Sequence, residues 1–204
     1  MAELRDRKKR ETRQRIADLA TMLFAMRGFD AVTVADVAEA ADVSKMTVFN
    51  YFPRKEDLLL DRHEDRLEAL RAVVRDRPAG ESVVAALRRH NHELLESGHP
   101  LSGALPRAAP FFQIVQGSRA LQARMLEQDR EVEDALAEVL AAEWGDERRA
   151  RLAATVLAAV HVLIFRTAMR AVLEGHSAAK MRRDQAVLID RTFDVVAHGL
   201  GEGA

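Results

Sequence analysis

Apolar residues along this chain recur at three- and four-residue intervals and almost nowhere in strict alternation. That is the period of a helix surface, not of a strand. The stripe Ile16, Leu19, Ala20, Leu23 and Phe24 predicts a helix over about 7–27, with Gly28 at the left-handed cap position. Thr33, with Asp36 three residues on, predicts the start of a short helix, VADVAEA. Ser44 caps a second short helix, KMTVFNY, which Pro53 ends. Longer helices are predicted at about 54–77, 81–97, 107–116, 118–143, 146–174 and 179–198. The one at 107–116 contains Pro110, so it must be kinked or start late. The stretch SGHPLSGALP, 97–106, reads as the loosest part of the chain. The expectation is an all-α fold of about nine helices without internal repeats.

Composition narrows the chemistry. The chain has 204 residues and no cysteine, which excludes disulfides, thiolate metal sites and cysteine nucleophiles. Its length suits one ordinary domain, or a small domain joined to a larger one. His90 and His92 stand about 200° apart around a helix, so they cannot chelate one ion, and no metal site is expected. No phosphate-binding glycine loop or nucleophile elbow is present, so neither a cofactor nor an enzymatic activity is expected. The polar start MAELRDRKKRETRQR does not read as a secretion signal. The apolar run 152–165 is shorter than the ~20 residues a bilayer requires. A cytoplasmic protein with no membrane partner is expected. The carboxylates Glu127, Asp129, Glu131 and Glu133 read as a solvated helix face.

The formal net charge is −1, yet residues 1–15 carry Arg5, Arg7, Lys8, Lys9, Arg10, Arg13 and Arg15 against three acids, a local charge of +4. That asymmetry points to phosphate. The two short helices, joined by about three residues, form a helix-turn-helix. Val37, Ala38, Val43, Val48 and Phe52 suit its core. This leaves Lys45, Met46, Thr47, Phe49, Asn50 and Tyr51 on the outer and leading faces, behind the cap Ser44. In such a motif the second helix enters the major groove. Lys45 suits guanine O6 or a phosphate, and Met46 and Thr47 suit thymine methyls. Tyr51 and Thr33 offer hydroxyls to phosphate, and Phe49 wedges against the backbone. Lys55, at the predicted start of the 54–77 helix, adds charge where free N–H groups already attract an anion.

The string RQRIADLATMLFAMRGFDAVTVADVAEAADVSKMTVFNYFPRKEDLL resembles the DNA-binding domain of the TetR family of bacterial transcriptional regulators. Two positions depart from the family pattern. Asp42 stands where the family usually has a turn glycine, so a positive φ with some strain is expected. Ala35 stands where some relatives place a base-reading side chain. The resemblance implies an N-terminal three-helix DNA-binding domain over 1–60, with its motif at 33–52, and an effector-binding and dimerisation domain over 61–204. The composition shifts near residue 60, from short helices and a basic start to long amphipathic helices, which puts the boundary inside the 54–77 helix, the helix that would transmit the switch. The resemblance further implies a homodimer reading a palindromic double-stranded DNA operator, with half-sites about 34–36 Å apart. Such regulators mostly repress, and let go of DNA when a small molecule binds. A regulator of the same fold without an effector, gated by protein contacts or abundance, remains open.

The C-terminal helices offer candidates for both remaining tasks. Val156, Val160 and Leu163, with Ile189, Phe193, Val196 and Leu200, form apolar stripes suited to a dimer interface. Phe111, Phe112 and Gln113 at the proline-marked break, with Met125, Trp144, His161 and Arg166, are candidates for an apolar cavity with few polar groups.

Overall fold

The computed structural model describes residues 2–199, and Leu200 lies outside them. Among the described residues the α-helices are α1 (Ala2–Arg27), α2 (Val34–Ala40), α3 (Lys45–Tyr51), α4 (His63–Arg75), α5 (Val83–Glu96), α6 (Ala109–Gly117), α7 (Arg119–Trp144), α8 (Glu147–Leu173) and α9 (Ala178–His198). The all-α expectation holds.

Three boundaries differ from the periodicity for local reasons. The first helix begins at Ala2, so the basic residues up to Arg15 form its first turns and not a separate arm. No helix spans 54–77. A 3-10 turn, Glu56–Leu58, precedes α4, which begins at His63. The reason is Leu58, Leu59 and Leu60, all buried: three consecutive side chains cannot share one face of a straight helix, so the backbone turns here. In α6, Pro110 is the second residue, where its missing N–H has no intrahelical partner to lose. The 97–106 stretch is anchored, not loose. The His99 ring accepts from the Leu101 amide, the Ser102 hydroxyl donates to the His99 carbonyl, and Ser102 is buried. Gly103 has φ +70, and a Cβ there would lie 3.0 Å from the Phe165 ring.

The chain divides into two compact units. One takes the chain up to Asp61 together with Gln113–Met125, and the other takes Arg62–Phe112 and Leu126 onward. Both α6 and α7 therefore carry residues of each unit. In the first unit, Ile16, Ala20, Phe24, Phe29, Val32, Val37, Val48 and Phe52 are buried. Phe24 and Phe29 stack with ring centroids 4.9 Å apart. Burying side chains of this size stabilises by roughly 2–3 kcal/mol each. The Arg13 guanidinium covers the Phe52 ring at 4.6 Å and donates to the Asp61 carbonyl at 2.7 Å, so this basic residue works inside the fold. Arg124 donates to Asp57 at 2.7 Å, both side chains largely buried, which ties 113–125 to the turn after the helix-turn-helix.

In the second unit, α5 packs on α4 and α9, and α9 on α8. The core runs through Leu67, Leu70, Leu87, Leu136, Leu140, Leu157, Ile164, Ile189 and Phe193. Arg88 of α5 bridges Asp190 at 2.9 Å and Asp194 at 2.8 Å on α9. A smaller cluster gathers Phe112, Val172 and Met181, with Phe111 and Phe165 packed on it.

The helix α8 is 27 residues long with an 18-residue stretch of mean hydropathy 1.8, so by length and composition it reaches the size of a membrane span. Its pattern fits a core helix instead. Ala150, Ala154, Leu157, Ala158, Val160, His161 and Ile164 are buried, while Leu152, Val156 and Leu163 are exposed.

Candidate functional site

The helix-turn-helix is built by its caps. The Thr33 hydroxyl accepts from the Asp36 amide at 3.2 Å, and Asp36 Oδ2 accepts from the Thr33 amide at 2.7 Å. The same oxygen takes the Thr33 hydroxyl proton at 2.6 Å. These bonds, with Arg27 nearby, hold the Asp36 carboxyl below the ordinary carboxylate range. Thr33 is thus the exposed cap of α2, and its hydroxyl donates to Asp36 in this structure. Ser44 Oγ accepts from the Thr47 amide at 3.0 Å and pairs with the Thr47 hydroxyl at 2.8 Å, which makes both part of the α3 cap. The turn between them places Asp42 at φ +52, the left-handed geometry anticipated for it.

These caps orient α3. Val48 and Phe52 point inward and are fully buried. Lys45, Met46, Phe49 and Asn50 are exposed on one face, with Met46 69% and Phe49 46% accessible, and Tyr51 is half-buried. Two large apolar side chains held in water beside a lysine form a face that suits thymine methyls and phosphate together. The structure places Lys55 differently from expectation. It adjoins a three-residue 3-10 turn, not a helix N-terminus, and its ammonium sits 4.2 Å over the Phe29 ring. Its charge is fixed beside the motif by that ring.

The dimer candidates separate into two sets. Val160, Ile189 and Phe193 are 6%, 1% and 2% exposed inside their own unit, so they are core residues and not interface. On α8 the inward face runs through 154, 157, 161, 164 and 168 with Val160 at its edge, and α9 turns Ile189 and Phe193 into the same core. Val196 is partly buried against the same core. Val156 and Leu163 are exposed, and with Leu152 they line one outward face of α8, while Val187 and Val195 are exposed on α9.

The predicted effector residues fall in several places. Phe112 is buried among Val172 and Met181, and Phe111 packs on it. Trp144 lies under the Arg149 guanidinium at 4.6 Å where α7 meets α8. Gln113 is exposed, and it and Met125 fall in the first unit. A groove of about 730 Å³ between α7 and α8 is lined by Asp134, Glu138, Arg151 and Leu152 among others, and by none of the candidates.

Arg166 joins a polar cluster that periodicity missed, and His161 is buried within reach of the charge of its Arg66. Asp129 accepts from Arg166 at 3.1 Å and lies 3.8 Å from Arg66. Arg66 Nη2 stands 3.2 Å from His63 Nδ1, and His63 Nε2 stands 2.5 Å from Glu131. A guanidinium only donates, so the geometry is a relay from Arg66 through His63 to Glu131. Asp129 thus belongs to this cluster and not to a solvated face, and Glu131 joins it from the rim with its side chain 41% exposed. Two polar atoms here are buried without a hydrogen-bond partner: Arg66 Nε and His161 Nε2. Burial lowers the Arg66 pKa, against the attraction of Asp129 and Glu131. Burial, then Arg66 and His90, pushes His161 down to about 3, so its imidazole is neutral at ordinary pH. Burial also lowers His90. The signal that was available in sequence was Arg66 and His63 at i, i+3 on a mostly apolar helix face. Among the described residues no group of side chains has the makings of a metal site.

Comparison with known proteins agrees with this architecture. The profile of "Bacterial regulatory proteins, tetR family" matches residues 16–61. The transcriptional regulator TcmR of Streptomyces glaucescens is 33% identical over 175 residues, which is 80% of this chain and 75% of that protein. The transcriptional repressor KstR of Mycolicibacterium smegmatis is 39% identical over 71 residues, covering 33% of this chain and 35% of that one. The crystal structure of Thermus thermophilus FadR, a TetR-family repressor in complex with lauroyl-CoA, superposes with a TM-score of 0.52 at 28% identity over 94% of this chain and 96% of that one. A TetR-family regulator of Syntrophomonas wolfei reaches a TM-score of 0.61 at 18% identity over 96% of this chain and all of that one, a likeness of fold. These relatives are transcriptional regulators and not enzymes. The chain belongs to the TetR family of bacterial regulatory proteins.

Proposed function

We propose that this protein is a dimeric, operator-binding regulator, acting as a repressor in the cytoplasm, that a small-molecule effector releases from DNA. The observation that carries the reading is the exposed face of α3, where Lys45, Met46, Phe49 and Asn50 stand together while Val48 and Phe52 anchor the helix from behind. A second copy supplies the second recognition helix. Its natural seat is the outward apolar face of α8 and α9, through Leu152, Val156, Leu163, Val187 and Val195. The likeness to a repressor solved in complex with lauroyl-CoA supports a small-molecule effector. Such an effector acts through its differential affinity for the two states, typically about 1–3 kcal/mol of coupling.

The test is selection of binding sequences from a random DNA pool, followed by anisotropy titrations over a range of salt. The selected site is expected to be a palindrome. Lys45→Ala is expected to weaken binding and to reduce the slope of log affinity against log salt by about one. A selected pool without two-fold symmetry, or an unchanged slope, contradicts the reading.

A further inference from the structure

We infer that the interior cluster of the second unit recognises an uncharged acceptor oxygen (a ketone, ester or amide carbonyl) on an otherwise apolar effector, through Arg66 Nε–H and His161 Nε2–H. This rests on the ligand-responsive reading above and specifies its ligand. The first support is the pair of orphaned atoms themselves. Nearly all buried polar groups in folded proteins are hydrogen-bonded, and two exceptions in one interior call for a cause. Both atoms serve as N–H donors: a guanidinium cannot accept, and a neutral imidazole carries one proton that Nε2 can hold. One carbonyl oxygen has two lone pairs, enough for both.

The second support is charge. Two guanidinium groups, Arg66 and Arg166, face two carboxylates, Asp129 and Glu131. The cluster is balanced before any ligand arrives. An ionised ligand would bring a charge into the interior with its counter-charges already engaged, which costs far more than burying a neutral acceptor. The third support is the surroundings. On α8, His161 lies among buried Leu157, Ala158, Val160 and Ile164, so the remainder of the ligand meets aliphatic side chains.

The experiment uses two bodies, each with three heads: methyl nonyl ketone, undecanoate and undecane, and acetonaphthone, naphthoate and ethylnaphthalene. Each is titrated into the full-length protein, read by thermal unfolding and by release of the selected DNA. At least one ketone is expected to raise the melting temperature and bind about tenfold or more tightly than its carboxylate and hydrocarbon partners. Arg66→Met and His161→Phe are each expected to weaken that ketone about tenfold or more. His161→Phe should do so without lowering the melting temperature of the unliganded protein, because it replaces an unsatisfied polar ring by an apolar one. A purely structural histidine would show the opposite. No shift with either ketone, carboxylates or hydrocarbons that match the ketones, or ketone binding untouched by both variants overturns the inference. Release of DNA by a carboxylate would sink this chemistry and leave the ligand-responsive reading standing. Ketone binding of the expected selectivity without release of DNA would do the reverse.

Discussion

The helix-turn-helix and the interior of the second unit treat polar side chains in opposite ways. In the first, every polar group near the turn has a local partner or faces water. Thr33, Asp36, Ser44 and Thr47 close their bonds within three residues of sequence, and Lys45 and Asn50 are left outside. In the second, Arg66, His63, Asp129, Glu131, His161 and Arg166 come from α4, α7 and α8, meet in or at the edge of the interior, and leave two nitrogens unpaired. A surface that reads DNA needs rigid support beneath and freedom outside. A site for an apolar ligand holds its unmet polar groups indoors, where each is worth more to the ligand that meets it.

Three perturbations sharpen this contrast, in falling order of effect. Leu163→Glu puts a charge on the outward face of α8 and is expected to yield monomers in sedimentation, with operator affinity lower by about a hundredfold or more, because two linked half-site contacts become one. Dimers that persist would move the interface off α8. The second perturbation is pH. His161 in the folded protein sits well below its ordinary range, at about 3, so between there and about 6.5 the unfolded chain binds a proton that the folded chain refuses. Stability is therefore expected to fall on acidification through that window, with His161 contributing about 1.4 kcal/mol per pH unit. Denaturant titrations of His161→Phe should show a shallower slope. An identical slope would mean the imidazole is not buried uncharged. The smallest effect belongs to the turn. Asp42→Gly relieves a left-handed residue and is expected to stabilise by about 0.5 kcal/mol by the same titrations, with DNA affinity unchanged. Destabilisation would show that the Asp42 side chain has a task of its own.

The sequence made the first unit almost fully legible and the second only in outline. Capping residues, the Pro53 stop and the turn at Asp42 act over three or four positions, and their pattern is visible in a string. The split of apolar residues between Val48 and Phe52 inside and Met46 and Phe49 outside follows from helix phase alone. On α8 the same reasoning placed Val156 and Leu163 outward, where they stand, and misplaced Val160. A helix apolar on nearly all sides has no polar face to set its phase, so Val160 reads as outward and is instead buried in its own unit. Arg13 and Lys55 read as charges for DNA, and aromatic rings hold them within the fold.

By itself, then, the order of residues determined an all-helical chain, most of its helix ends outside the 54–62 stretch, and a capped pair of short helices with an exposed reading face, because all of these are local. Only the tertiary structure decided which apolar stripe of α8 faces inward. It also decided that carboxylates of α7 meet arginines of α4 and α8, and that Arg66 and His161 are buried with donors unspent. The physical reason is distance along the chain: Arg66 and His161 are brought into one interior by the packing of helices, and no pattern within either helix records that meeting.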